Sequence, residues 1–164
     1  MRFEDCLREY GPALWRVVAT YAPPGPERDD LAQDVLVAVW QALPKFRGGS
    51  TAKTFVLRIA HNRCLSHAWQ RAKRRSAGDD ALAALPDPRP ALDDHAASRQ
   101  RVERLLRHLS TLPLGQRQVL SLALEGLSHA EIAAIAGITP ENVAVRLGRA
   151  RDALRRSLEK EEAA

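Results

Sequence analysis

Apolar residues recur every three or four positions along most of this chain, and nowhere do they alternate with polar ones between tight hairpin turns. That pattern confines the fold to helices, because a period of 3.6 gathers one apolar stripe on a helix whereas a half-buried strand needs a period of two. Over 3–20, Phe3, Leu7, Leu14, Val17 and Val18 keep helix spacing, with Tyr10 and Trp15 filling gaps. Ala22-Pro23-Pro24-Gly25-Pro26 then breaks the chain. A second helix is predicted from about Glu27 to Leu43, with Leu31, Val35, Val39 and Leu43 on one stripe and Pro44 as its stop. A third follows Gly48-Gly49-Ser50, over 52–74, anchored by Phe55, Ile59, Leu65 and Trp69. Trp15 and Trp40 are expected in the core.

Residues 76–96 change character, being rich in Ala and Asp with prolines at 86, 88 and 90. Three prolines so close disfavour a continuous helix, which reads as a flexible acidic linker between two domains. Helical spacing resumes near Ser98 with Val102, Leu105, Leu106 and Leu109, and Pro113 to Glu125 suits one further helix. The sharpest local signal comes next. Ser128 and Glu131 have capping-box spacing, ahead of Ile132, Ala133 and Ala136. Gly137 stands where a turn needs a residue without a Cβ, Thr139 can cap the next helix, and Pro140 fits its first position. That helix carries Val143, Leu147, Ala150 and Leu154 at spacings of four, three and four. A short helix, a glycine turn and a longer helix make a helix-turn-helix. The fold class is therefore all-α: a helical bundle over 1–75, a linker over 76–97, and a helix-turn-helix domain over 98–164.

Charge divides the chain into blocks. The total is +5 at neutral pH, yet residues 1–44 carry net −3, residues 45–75 net +9 with no acid among them, residues 76–98 net −4, and residues 99–164 net +3. Blocks of this kind point to separate surfaces for separate partners, and the basic ones to an anionic partner. Nine basic groups in 45–75 fit a DNA surface, where each displaces counterions from phosphate, or else a solvated helix face. Arg146, Arg149, Arg151, Arg155 and Arg156 fall on the outer side of the last helix, suited to phosphates and guanine edges or, more simply, to water. Phe55 and Trp69 are either core or a platform for an unstacked base. Asn62 and His61 could hydrogen-bond such a base, though His61 reads equally as a surface histidine. Asp29, Asp30 and Asp34 suit the positive end of a helix whatever else they do.

Several function classes find no support. Cys6 and Cys64 lie far apart, the histidines are scattered, and no metal spacing, Ser/His/Asp set, phosphate loop or paired carboxylates stands out. No metal, cofactor, small-molecule substrate or enzymatic activity is expected. The charged N-terminus and the lack of any long apolar run lead us to expect a reduced, cytoplasmic protein.

Two motif sets carry a family resemblance. Leu127-Ser128-His129-Ala130-Glu131-Ile132-Ala133, then Gly137-Ile138-Thr139, Val143, Arg146-Leu147 and Arg149-Ala150-Arg151 resemble region 4 of sigma factors. Asp29 to Val35 with Val39-Trp40 is similar to region 2.2, Phe55 to Asn62 to the segment leading into promoter melting, and Arg71 to Arg75 to the basic tail that ends it. Their order, with no domain between them, resembles the extracytoplasmic-function group. The chain departs from that group's usual pattern at Phe55 (commonly Trp), Ser66 (commonly Asp), Ala144 (commonly basic) and Gly148 (commonly larger).

The resemblance implies a transcription initiation factor whose partners are RNA polymerase core enzyme (β′ clamp helices and β flap), promoter DNA and an anti-sigma inhibitor. It assigns polymerase binding to Asp30, Gln33 and Asp34. Phe55, Arg58, His61, Asn62, Trp69, Arg71, Lys73, Arg74 and Arg75 are assigned to the −10 element and melting. Asn142, Ala144, Val145, Arg146 and Arg149 are assigned to the −35 element. The competing reading is a stand-alone helix-turn-helix regulator, which would bring a sensing domain with alternating strands and helices, or a dimerisation helix.

The linker yields a first prediction. A flexible chain spanning 76–96 has an end-to-end distance of about 25 Å, from roughly 5–6 Å times the square root of its length. Small-angle scattering of the free protein is expected to require more than one domain arrangement. A single compact profile, unchanged by a partner, counts against a flexible linker.

Overall fold

The computed structural model describes residues 1–78 and 96–164. They form helices α1 (Phe3–Tyr21), α2 (Pro26–Ala42), a 3-10 turn at Leu43–Lys45, α3 (Ala52–Ser76), α4 (Ala96–Ser110), α5 (Leu114–Leu124), α6 (His129–Ala136) and α7 (Pro140–Glu162), with no strand among the described residues. The chain divides into two compact units, one within Met1–Arg89 and one within Pro90–Ala164. Most of the expected linker, 79–95, lies outside the described residues; its outermost residues belong to α3 and α4.

In the first unit α1, α2 and α3 pack pairwise. The proline run ends α1 as expected, and Gly25, at φ 117°, takes the left-handed backbone that leads into α2, with Pro26 at its first position. No basic residue lies in the last turn of α1. Arg28 fills that role from α2: it is buried, and its Nε and Nη2 donate to the carbonyls of Ala22 (3.0 Å) and Ala19 (3.5 Å). Its guanidinium also lies 5.6 Å from the ring centre of Trp15. Thr51 caps α3 by accepting from the Thr54 amide at 3.1 Å.

The core falls differently on α3 from the sequence expectation. The buried stripe is Thr54, Val56, Leu57, Ala60, His61 and Cys64. Phe55, Ile59 and Leu65 are half-buried, and Trp69 is 64% exposed. The expected anchors lie on the flank of the stripe that packs against α1 and α2, in which Leu57, Ala60 and Cys64 are buried and the His61 ring meets Tyr21 edge-on. Trp15 and Trp40 are likewise exposed rather than core. Cys6 and Cys64 are free and fully buried, and burial pushes the Cys64 thiol up to about 12, which makes it inert.

In the second unit Leu106, Leu109, Val119, Leu122, Ile132, Val143, Leu147 and Ala150 form the core, with α5 packed on α6 and α7, and α4 on α7. Arg117 closes the turn between α4 and α5, its Nη2 donating to the carbonyls of Ser110 (2.7 Å) and Leu112 (3.1 Å). Glu161 accepts from Arg104 Nε at 3.1 Å and pairs with His108, which also bonds Ser157 at 2.6 Å. These bonds hold the Glu161 carboxyl below its usual range.

His61 gives the first unit a pH dependence. Its ring is fully buried, stacks edge-on against Tyr21, and has Nδ1 3.4 Å from the Tyr21 hydroxyl, while Nε2 has no partner. Burial lowers its pKa from 6.5 to about 4. The fold therefore favours the neutral ring: the stabilisation is complete above about pH 6.5 and is lost as pH falls through 4. The linkage is on the order of 3 kcal/mol. Denaturant melts of wild type and His61→Phe between pH 4 and 7 are expected to change their separation as the pH falls, wild type weakening the more steeply; parallel curves would show that His61 does not titrate on unfolding.

Candidate nucleic-acid interfaces

The outer face of α3 is fixed by its buried one. Arg58, Asn62, Ser66, Trp69 and Lys73 recur at spacings of three and four on the side opposite Leu57, Ala60, His61 and Cys64; Arg58, Asn62, Trp69 and Lys73 are exposed. Phe55 belongs to the same stripe, half-buried, with its ring 4.8 Å from that of Phe46. Arg74 and Arg75 continue the positive charge to the helix end, where basic residues also suit the dipole. One face thus combines cations, an amide and two aromatic surfaces.

Two of the sequence-assigned residues do not share that face. His61 is in the core, so a base has no access to it, and its assignment as a DNA contact is corrected: the ring sits on the inner side of the helix, one position before exposed Asn62. Arg71 is half-buried and turned towards α2, its Nη1 3.3 Å from Glu27, which also bonds His67 at 2.8 Å. Arg71 is thereby a link between α2 and α3.

Asp30, Gln33 and Asp34 line the outer side of α2, with Leu31 and Val35 buried behind them. Val37, 46% exposed, and Trp40, 58% exposed, continue the same outer side. The sequence reading missed this extension. Its signal was a surplus of apolar residues on α2, more than the Leu31–Val35–Val39 stripe can bury.

The helix-turn-helix forms as its local chemistry dictates. Ser128 and Glu131 make a reciprocal capping box, the Ser128 Oγ accepting from the Glu131 amide at 3.2 Å and Glu131 Oε2 from the Ser128 amide at 2.8 Å. Gly137 ends α6 in the left-handed region, at φ 69° and ψ 34°. Thr139 caps α7 by accepting from the Asn142 amide at 3.2 Å, and Pro140 begins it. With Val143, Leu147 and Ala150 buried, Asn142, Ala144, Val145, Gly148 and Arg149 face outward. Arg146 is half-buried and lies over the first turn of α5: a methyl group on Gly115 would come within 2.9 Å of its Nη1. It holds α7 to α5 more than it projects. Arg151, Arg155 and Arg156 lengthen the positive outer side, Arg155 pairing with Asp152 at 2.6 Å. Among the described residues no group of His, Cys, Asp and Glu could hold a metal ion, and no helix is long and apolar enough to cross a membrane.

Family models match both units: Sigma-70 region 2 over residues 6–75, and Sigma-70, region 4 over residues 102–154. The ECF RNA polymerase sigma factor SigC of Mycobacterium tuberculosis is 32% identical, across 86% of this chain and 75% of its own. The chain belongs to the sigma-70 family. It falls in the extracytoplasmic-function group, and it is similar to the sigma factor CnrH of Cupriavidus metallidurans (29% identical, across 91% of this chain and 82% of the relative). Among solved structures, CnrH in complex with the cytosolic domain of CnrY matches with TM-score 0.68 and 27% identity, covering 96% of this chain and 88% of that one. The sigma factor RpoE with the anti-sigma factor NepR from Bartonella quintana matches with TM-score 0.71 and 26% identity, covering 96% of each. The sigma-70 family is one of transcription initiation factors without catalytic activity of their own. A stand-alone helix-turn-helix regulator accounts for the second unit only and leaves region 2 unexplained.

The capping box is testable in the second unit. Ser128→Ala removes one of its two bonds and is expected to cost about 1 kcal/mol, read as a lower unfolding midpoint at unchanged helix content. An unshifted midpoint would mean that packing alone sets α6.

Proposed function

We propose that this sigma factor binds polymerase core enzyme through the outer face of α2, melts and reads the −10 element with the outer face of α3, and reads the −35 element with α7. The region 2 work is assigned to 1–75 and the region 4 work to 98–164. Asp30, Gln33 and Asp34 dock on the core enzyme, and Val37 and Trp40 add apolar area to the same contact. Phe55 and Trp69 offer stacking surfaces for an unstacked base, Asn62 an amide for its edge, and Arg58, Lys73, Arg74 and Arg75 charge for the phosphates. On α7, Arg149 reads base edges, whereas Arg146 and Asn142 set the helix in place. The observation that carries this reading is the single outward stripe of α3, which joins cations to aromatic surfaces directly opposite the core.

The protein acts in the cytoplasm, as an initiation factor without catalysis of its own, and is held inactive by an anti-sigma factor. Supporting the last point, a structural relative of similar length is bound to one. The overall test is transcription: added to core enzyme, the protein is expected to confer promoter-specific initiation.

Three variants separate the surfaces. Asp34→Lys is expected to weaken capture of core enzyme at unchanged helix content, and unaltered affinity would remove α2 from the interface. Arg149→Ala is expected to erase about 1–3 kcal/mol of discrimination between matched and altered −35 sites. Neutralising Lys73, Arg74 and Arg75 together is expected to weaken holoenzyme binding across sequences and to flatten its salt dependence, by roughly one unit of log–log slope for each phosphate that is no longer neutralised. An equal drop in affinity at both sites for Arg149→Ala would make Arg149 a phosphate contact.

A further inference from the structure

The centre of α7's outward face is apolar and small, which is unusual for a helix flanked by so many cations. Val143, Leu147 and Ala150 face the core; Val145 and Gly148 stand on the opposite side, with exposed Ala144 on the flank beside them. Val145 is 51% exposed, whereas Val119 and Val143 of the same unit are fully buried. Arg149 and Arg151 border the patch, Glu141 sits before it in the first turn, and Asp152, paired with Arg155, lies one turn beyond Gly148 with Arg156 after it. Val102 on α4 is also exposed, beside Arg101, so an exposed valine alone is ordinary; what sets α7 apart is that Ala144 and Gly148 lie beside its valine.

Gly148 adds an independent observation. Glycine inside a helix lowers its stability relative to alanine. Here the fold asks for no glycine: a Cβ at Gly148 would meet nothing within 4 Å, and its backbone is ordinary helix. The missing side chain leaves the backbone of α7 open to close approach from outside the unit.

In the major groove thymine differs from the other bases by presenting a C5-methyl group, which small apolar side chains read by contact. We propose that Ala144 and Val145 recognise thymine methyl groups in the −35 element, and that Gly148 lets α7 sit deep enough in the groove for them to touch. The arginines around the patch then hold the phosphate walls, Arg149 takes a neighbouring base edge, and Glu141 is suited to a cytosine amino group. This rests on the reading of α7 as the −35 reader and specifies what it reads.

The test uses holoenzyme reconstituted from core enzyme and the full chain. Duplexes randomised over the −35 and −10 segments, amplified in vitro so that thymine is the sole source of C5-methyl groups, are selected for binding. The selected duplex is then remade with deoxyuridine in place of each −35 thymine, which deletes only the methyl. Wild-type affinity is expected to fall about fourfold per contacted methyl, the value for one buried methyl-sized group. Val145→Ser, at an exposed position, is expected to keep the fold and to abolish most of this sensitivity. Gly148→Ala is expected to raise the melting temperature of the protein while weakening binding to the selected duplex. Equal affinity for thymine and deoxyuridine duplexes, with a −35 sequence still selected, overturns the methyl reading and leaves α7 as the −35 reader. Selection of no −35 sequence at all overturns both. Val145→Ser that spares DNA binding but weakens a protein partner assigns the patch to that partner instead and overturns the proposal.

Discussion

The burial of one stripe of α3 against both α1 and α2 is the constraint on which the first unit depends. Leu57, Ala60, His61 and Cys64 are fully buried, so the helix has no rotational freedom about its axis. Fixing the inner stripe fixes the outer one, and Arg58, Asn62, Trp69 and Lys73 face outward as a consequence of packing. A buried neutral histidine in that stripe is the price of the arrangement, since protonating it inside the core is unfavourable. Arg28 supports the same geometry from the other side by satisfying the carbonyls at the end of α1.

The second unit is organised by local chemistry to a greater degree. A capping box, a left-handed glycine and a threonine cap set the ends of α6 and α7, and each satisfies backbone groups that would otherwise be left open. Tertiary contacts then orient the pair. Arg146 over Gly115 ties α7 to α5, and the pairs from Glu161 to Arg104 and His108 tie its far end to α4. Glu27, His67 and Arg71 make a comparable link between α2 and α3. Partly exposed links of this kind contribute little to stability, and their effect lies more in setting angles between helices.

In the proposed reading, the two nucleic-acid surfaces divide their work by chemistry. Clustered cations on α3 would then supply attraction that is indifferent to sequence and sensitive to salt. Helix α7 combines the same charge with a centre stripped of long side chains, and on DNA such small apolar groups would discriminate by fit rather than by field.

Much of this was legible in the sequence, for a physical reason. Helix periodicity, the proline breaks, the capping box at Ser128 and Glu131, the turn at Gly137 and the Thr139–Pro140 start are local, depending on residues within a few positions of one another. The motif sets that relate the chain to sigma factors are local as well. The facing of individual side chains was not legible to the same degree. Periodicity placed Phe55, Ile59, Leu65 and Trp69 on one stripe of α3 but could not choose between it and the neighbouring stripe, because the choice depends on how α1 and α2 pack against the helix. The same ambiguity sent Trp15 and Trp40 to the core and left His61 open between solvent and DNA. Sequence by itself determined which helices form and where they end, since their turns, caps and breaks are satisfied within short stretches. Tertiary structure alone decided which side of each helix meets water, because burial is settled by neighbours distant along the chain.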